Sequence, residues 1–162
     1  MNVFSNIIHL DTFNLRSLSI KQADGDPGEK TEYAITFGYA VEKNDGAPDR
    51  FRLTLVVDLA PKGKEAPGAI TVSASVVGLF SFPKGVKEED MQYVLQVNGS
   101  AILYGLLRGQ VAMLTGAFRG PRFLLPTVNM AEIVKEVEAK AKANQEPAAT
   151  RPSPTLDLSK ED

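Results

Sequence analysis

The 162-residue sequence sets 18 Lys and Arg against 20 Asp and Glu, a formal net charge of -2, with 43% hydrophobic and 23% charged residues. A chain of this length and balance buries about 70% of the surface its unfolded form exposes, and the absence of any dense basic run excludes nucleic acid as a partner. With no cysteine and the single histidine His9, disulfides, thiolate metal sites and imidazole clusters are excluded, so no cofactor, no metal and no enzymatic activity are expected.

The opening Met1-Asn2-Val3-Phe4-Ser5-Asn6 has no basic stretch leading into an apolar one, which makes a cytoplasmic address the expectation. Leu15, Leu18 and Ile20 suggest a first, weak strand, and the change of parity near Arg16-Ser17 predicts a bulge. From Tyr33 the apolar period is two. Tyr33, Ile35, Phe37, Tyr39 and Val41 alternate with small or polar residues. After the turn residues of 44–49, Phe51, Leu53, Leu55, Val57 and Leu59 do the same, which predicts a hairpin. Ile70, Val72, Ala74 and Val76 mark a further strand. The fold class is therefore α+β, an antiparallel sheet of about four strands with one apolar face and one rich in hydroxyls.

Past Pro83 the period becomes helical. Glu88, Glu89 and Asp90 suit a helix N-terminus, Asn98-Gly99-Ser100 is expected to interrupt the helix, and Ser100 is expected to cap a second, long segment. In that segment Leu103, Leu107, Val111, Leu114 and Phe118 form an apolar stripe, while Gly105, Gly109, Ala112 and Gly116 form a stripe of small residues. Glycine costs about 1 kcal/mol against alanine inside a helix, so the small stripe predicts close approach of another backbone, and Gly105, Gly109, Ala112 and Gly116 are assigned to an oligomer interface. Gln92, Gln96, Asn98, Arg108 and Gln110 interrupt every window long enough to cross a bilayer, and no membrane insertion is expected. The prolines and large apolar residues of 119–128 predict an extended segment. Asn129 then caps a shorter C-terminal helix, with Glu132 and the Val128/Ile133 pair completing its start. The domain is expected to span 1–143, and 144–162 reads as a disordered tail by composition.

The run Ser100-Ala101-Ile102-Leu103-Tyr104-Gly105-Leu106-Leu107-Arg108, continuing through Leu114-Thr115 to Arg119-Gly120-Pro121-Arg122-Phe123-Leu124-Leu125-Pro126-Thr127-Val128-Asn129-Met130, resembles the SecB export-chaperone family. Gly78-Leu79-Phe80-Ser81-Phe82 resembles that family's strand end. The resemblance implies a four-stranded antiparallel sheet packed against a long helix and a shorter one, assembled as a homotetramer, a dimer of dimers. The implied activity is that of a holdase that binds unfolded precursor polypeptides without ATP and keeps them competent for export, or that guards an antitoxin or another dedicated client. Gly105, Gly109 and Met130 depart from the family's Pro, Glu and Phe. Ser17, Lys21 and Ser73 stand where members that dock on the SecA motor carry acids, so SecA docking in the usual manner is not expected. The peptide groove is expected at Ile70, Val72, Phe123, Leu124, Leu125, Val128, Met130 and Ile133. A reading of another class, a carrier of apolar small molecules or lipids, predicts an enclosed cavity between sheet and helices.

Overall fold

A computed structural model describes residues 7–26, 31–63, 66–118, 120 and 122–145. Strands β1 (His9–Gln22), β2 (Tyr33–Asn44), β3 (Ala47–Pro61) and β4 (Ile70–Ser81) form one antiparallel sheet in the order β1-β4-β3-β2. The chain continues through α1 (Glu88–Val94), a π-helical segment at Leu95–Gly99, α2 (Ser100–Thr115) and α3 (Met130–Gln145). The helices cover one face of the sheet only, α2 lying on β1, β3 and β4, and α3 on β2 and the π-helical segment.

The alternation along the strands fixes which side chains meet the helices. Phe51, Leu53, Leu55, Val57 and Leu59 of β3 and Ile70, Val72, Ala74, Val76 and Phe80 of β4 are all buried, and they meet Leu95, Leu103, Leu107 and Val111 from the helical layer. Each fully buried Leu, Val or Phe contributes on the order of 1.5–3 kcal/mol, so this inner layer dominates the stability. At Gly78 a Cβ would lie 2.8 Å from Leu103 Cδ2 of α2 and 2.6 Å from Phe80 Cε2, so any larger residue would force these core side chains to shift. The pairing of β1 with β4 slips between Leu15 and Ser17, which puts the expected bulge at Arg16, and slips a second time between Leu10 and Thr12.

Three expectations are corrected. Asn98-Gly99-Ser100 does not break the helix. The chain passes from α1 through the π-helical segment directly into α2, because Leu95 and Gly99 are buried against Leu53 and Phe80 and this packing outweighs the local signal. Ser100 accordingly makes no cap; its hydroxyl is buried without a partner. Within α2 the inward row is Leu103, Leu107, Val111 and Thr115, whereas Leu114 is 43% exposed. Asn129 does cap α3, accepting the Ala131 N–H at 3.2 Å. That helix runs to Gln145, slightly past the expected boundary. The rest of the expected tail lies outside the described residues.

Candidate functional site

Between the last turn of α2 and the start of α3 the segment 122–129 runs without helix or strand, held by side chains of α2 that grip its backbone. The Thr115 hydroxyl donates to Val111 O at 2.7 Å and accepts the Phe123 N–H at 2.9 Å. Arg108 Nε donates to Leu125 O at 2.9 Å, and the Tyr104 hydroxyl donates to Pro126 O at 2.7 Å. Each such bond contributes about 1 kcal/mol net, and together they fix the path of the strap. Its side chains then take opposite fates. Leu125 is driven into the core at 0% exposure, while its neighbour Leu124 stands 63% exposed.

The strap and α3 flank the helix-facing row of β2. Phe123 meets Tyr33 edge to face at 5.3 Å between ring centroids, and Phe37 meets Tyr104 in the same manner at 5.4 Å. Both are favourable aromatic geometries. The Tyr39 hydroxyl reaches Glu138 Oε1 of α3 at 3.3 Å. Burial, then the charge and hydrogen bond of Glu138, push the Tyr39 phenol up to about 12. Burial likewise raises Tyr104 to about 12 against the opposing Arg108 charge. A hollow of about 170 Å³ opens between β2 and α3, lined by Ile35, Thr36, Phe37, Ile133, Glu136, Val137 and Lys140. The result is a shallow, aromatic and aliphatic trough with a charged rim, suited to apolar side chains and offering no catalytic constellation. Among the described residues no cluster of His, Asp and Glu could hold a metal ion.

The expected groove residues are divided by the structure. Ile133 lines the hollow, Phe123 meets β2 through Tyr33, Val128 is half-buried and Leu124 is exposed, whereas Ile70, Val72, Leu125 and Met130 are buried within one protomer. Ile70 and Val72 belong to β4, an inner strand of the sheet covered by α2, and so are part of the core rather than of an open wall. The row Tyr33, Ile35, Phe37 and Tyr39, together with Tyr104 and Val137, belongs to the site, although the sequence pattern marks these residues only as strand or helix faces. The unusual density of aromatics on the strand at the sheet's edge is the signal that could have found it. Gly105, Gly109 and Gly116 are exposed and Ala112 is half-buried. A Cβ at Gly105 or Gly109 would meet nothing within 4 Å, so the protomer leaves these two positions open, whereas at Gly116 a Cβ would lie 3.1 Å from Arg122 Nε. On the far side of the sheet, Ser17, Lys21 and Ser73 are exposed and neighbouring, Ser17 opposite Ser75, Ser19 opposite Ser73 and Lys21 opposite Thr71. A hollow of about 570 Å³ lies at the hairpin end of the sheet and is lined by Asp11, Glu42, Lys43, Arg50 and Arg52 as well as Phe51 and Leu79. That charge does not suit an apolar carrier. Among the described residues no helix is long and apolar enough to cross a membrane.

No family model matches the chain. An uncharacterized protein of Methanocaldococcus jannaschii is 22% identical over 122 residues, 75% of this chain and 78% of that protein. Among solved structures, a Mycobacterium tuberculosis SecB-like chaperone in complex with a peptide from an antitoxin superposes with a TM-score of 0.59 at 18% identity, covering 75% of this chain and 90% of that one. A Streptococcus agalactiae protein of unknown function gives a TM-score of 0.40 at 14% identity, over 74% of this chain and 97% of that one. The chain thus has the SecB-like fold, four antiparallel strands with a long helix and a second helix on one face.

Proposed function

We propose that this protein, built on the SecB-like fold, is a holdase that binds non-native polypeptide segments without nucleotide, with the trough between β2, the strap and α3 as its client site. The observation that carries this reading is the exposed apolar lining of a rigidly held strap. The half-buried Phe123 of the strap and Ile133 of α3 stand against the aromatic strand, with Leu124 exposed next to Phe123, an apolar surface that gains stability when something apolar covers it. The peptide-bound state of the Mycobacterium tuberculosis neighbour supports a polypeptide as that cover. A single captured segment binds weakly. Several troughs on one assembly raise the apparent affinity for a long chain by orders of magnitude. The open small-residue flank of α2 supports such an assembly, a homotetramer made of two dimers.

The physiological clients in this proposal are unfolded precursors kept competent for export. A second reading, a dedicated client such as an antitoxin, draws support from the peptide in that neighbour and from the neutral to basic character of Ser17, Lys21 and Ser73. With Asp58 opposite Ser73 as the acid beside these three positions, such a sheet face gives a basic partner such as the SecA motor little electrostatic attraction. The test is suppression of aggregation of a chemically unfolded protein, followed by light scattering without ATP. Stoichiometric suppression that ATP does not alter is expected, and a chain that leaves the aggregation rate unchanged refutes the proposal.

A further inference from the structure

The two edges of the sheet are not alike. Edge strands carry unpaired N–H and C=O groups, and proteins usually blunt them with bulges, charges or prolines. On β1 the protection is present, with register shifts at Leu10/Thr12 and Leu15/Ser17 and the charges of Asp11, Arg16 and Lys21. On β2 it is missing. From Tyr33 to Val41 the strand holds no charge, no proline and no register shift; the single irregularity lies at Lys43/Asn44, beside the hairpin turn.

The hydrogen-bond parity of β2 can be worked out. Lys62 N–H donates to Glu32 O at 2.8 Å, and this pair continues the β2–β3 register in which Tyr33 faces Pro61 and Ala34 faces Ala60. Bonded pairs recur every second residue in an antiparallel ladder, so Ala34, Thr36, Gly38 and Ala40 spend their backbone groups on β3. Pro61, which has no N–H, falls at a non-bonded position opposite Tyr33, as this parity requires. Tyr33, Ile35, Phe37, Tyr39 and Val41 therefore aim their N–H and C=O groups outward. Of these, Ile35 and Phe37 line the hollow, while Tyr33 meets Phe123 of the strap and Tyr39 meets Glu138 of α3.

We infer that β2 captures its client as an added strand, pairing an extended, uncharged, proline-free segment of the polypeptide through the outward amides of Tyr33, Ile35, Phe37, Tyr39 and Val41. This deepens the holdase reading and rests on it. Backbone pairing supplies affinity that ignores side-chain identity, and every second client side chain turns toward the trough. A second copy of the chain makes a poor occupant. Paired strands lie about 4.8 Å apart while packed helices need about 8–10 Å between axes, so two β2 strands edge to edge would crowd their α3 helices, each of which packs under its own strand. A bare peptide brings no helix.

Backbone amide hydrogen exchange of the full-length protein tests this, using as probe a nonapeptide of alternating valine and threonine with a lysine at each end. In the free protein the amides of Ile35, Phe37 and Tyr39 should exchange fast and those of Thr36, Gly38 and Ala40 slowly; the probe should protect the first set and leave the second unchanged. N-methylating every second amide of the probe in one register should weaken binding by roughly tenfold or more, and in the other register should barely affect it. Probe binding with fast exchange at Ile35, Phe37 and Tyr39, and equal tolerance of both methylation registers, overturns the strand-addition mode but leaves the holdase reading standing. Holding of unfolded protein without any binding of the probe overturns the strand-addition mode in the same way. Protection of these amides that rises with protein concentration alone would assign the edge to a second copy and also overturn the inference. Failure to hold any unfolded protein removes the holdase reading itself.

Discussion

Leu124 and Leu125 are consecutive, chemically identical and oppositely placed, which makes them a sharp test of the trough. Leu125 is 0% exposed, and truncating a core leucine costs about 2–5 kcal/mol. At about 2–4 °C per kcal/mol for a chain of this size, Leu125→Ala should lower Tm by roughly 4–20 °C. Leu124 is 63% exposed, so Leu124→Asp should change stability by no more than about 0.5 kcal/mol. Covering the exposed two-thirds of that side chain is worth about 1–2 kcal/mol to a bound client, and a carboxylate in its place must also be desolvated. Client affinity should therefore fall by roughly five- to thirtyfold or more. Fluorescence anisotropy of a labelled unfolded client gives the affinity, and thermal denaturation followed by circular dichroism gives Tm. If Leu124→Asp binds clients as the unmodified protein does while Leu125→Ala melts unchanged, both the strap geometry and the site assignment are refuted.

Ser100→Ala removes a buried hydroxyl without a partner and should be neutral or stabilising by up to about 1 kcal/mol in denaturant titration; a clear loss would reveal a hydrogen bond that the structure lacks. Gly109→Leu places a side chain where the protomer has open space, so it should leave the circular dichroism spectrum near native while lowering the assembly's mass by light scattering, and an unchanged tetramer mass, or a monomeric unmodified protein, would contradict the interface. Tyr39 and Tyr104 hold their protons to about pH 12 when folded but release them near 10 when unfolded. Their contribution is therefore full below pH 10 and lost as pH rises from 10 to 12, and Tyr104→Phe should flatten the fall of the denaturant midpoint across that window.

Local patterning made the sheet legible. The β2–β3 hairpin follows from two alternating runs around Asn44-Asp45-Gly46, where the Gly46 N–H donates to Asn44 Oδ1 at 2.9 Å, and the slip at Arg16 follows from a change of parity. Asn129 shows its cap in the sequence because capping is a contact between near neighbours. The passage through Asn98-Gly99-Ser100 was not legible, since what keeps it helical is Leu53 and Phe80, which are remote in sequence. The trough was half legible for the same reason. Phe123 and Leu124 advertise themselves as apolar residues in a segment that cannot be a helix. The depth of Leu125 and the accessibility of Tyr33, Ile35 and Phe37 depend on where α2 and α3 come to rest, which no local period encodes.

Because Thr115, Arg108 and Tyr104 grasp main-chain atoms of Phe123, Leu125 and Pro126, the course of the strap is written into α2 and not into the strap's own exposed side chains. The outward positions are thereby freed from any structural duty. Under the holdase proposal, exchanging the exposed Leu124 or Thr127 should alter which segments are favoured, as interchangeable fittings on a fixed rail, without moving that rail. A change at Tyr104 or Arg108 would instead shift every fitting together. If the proposal holds, a repertoire of such proteins diverges in what it holds through a few point changes, each nearly neutral for folding.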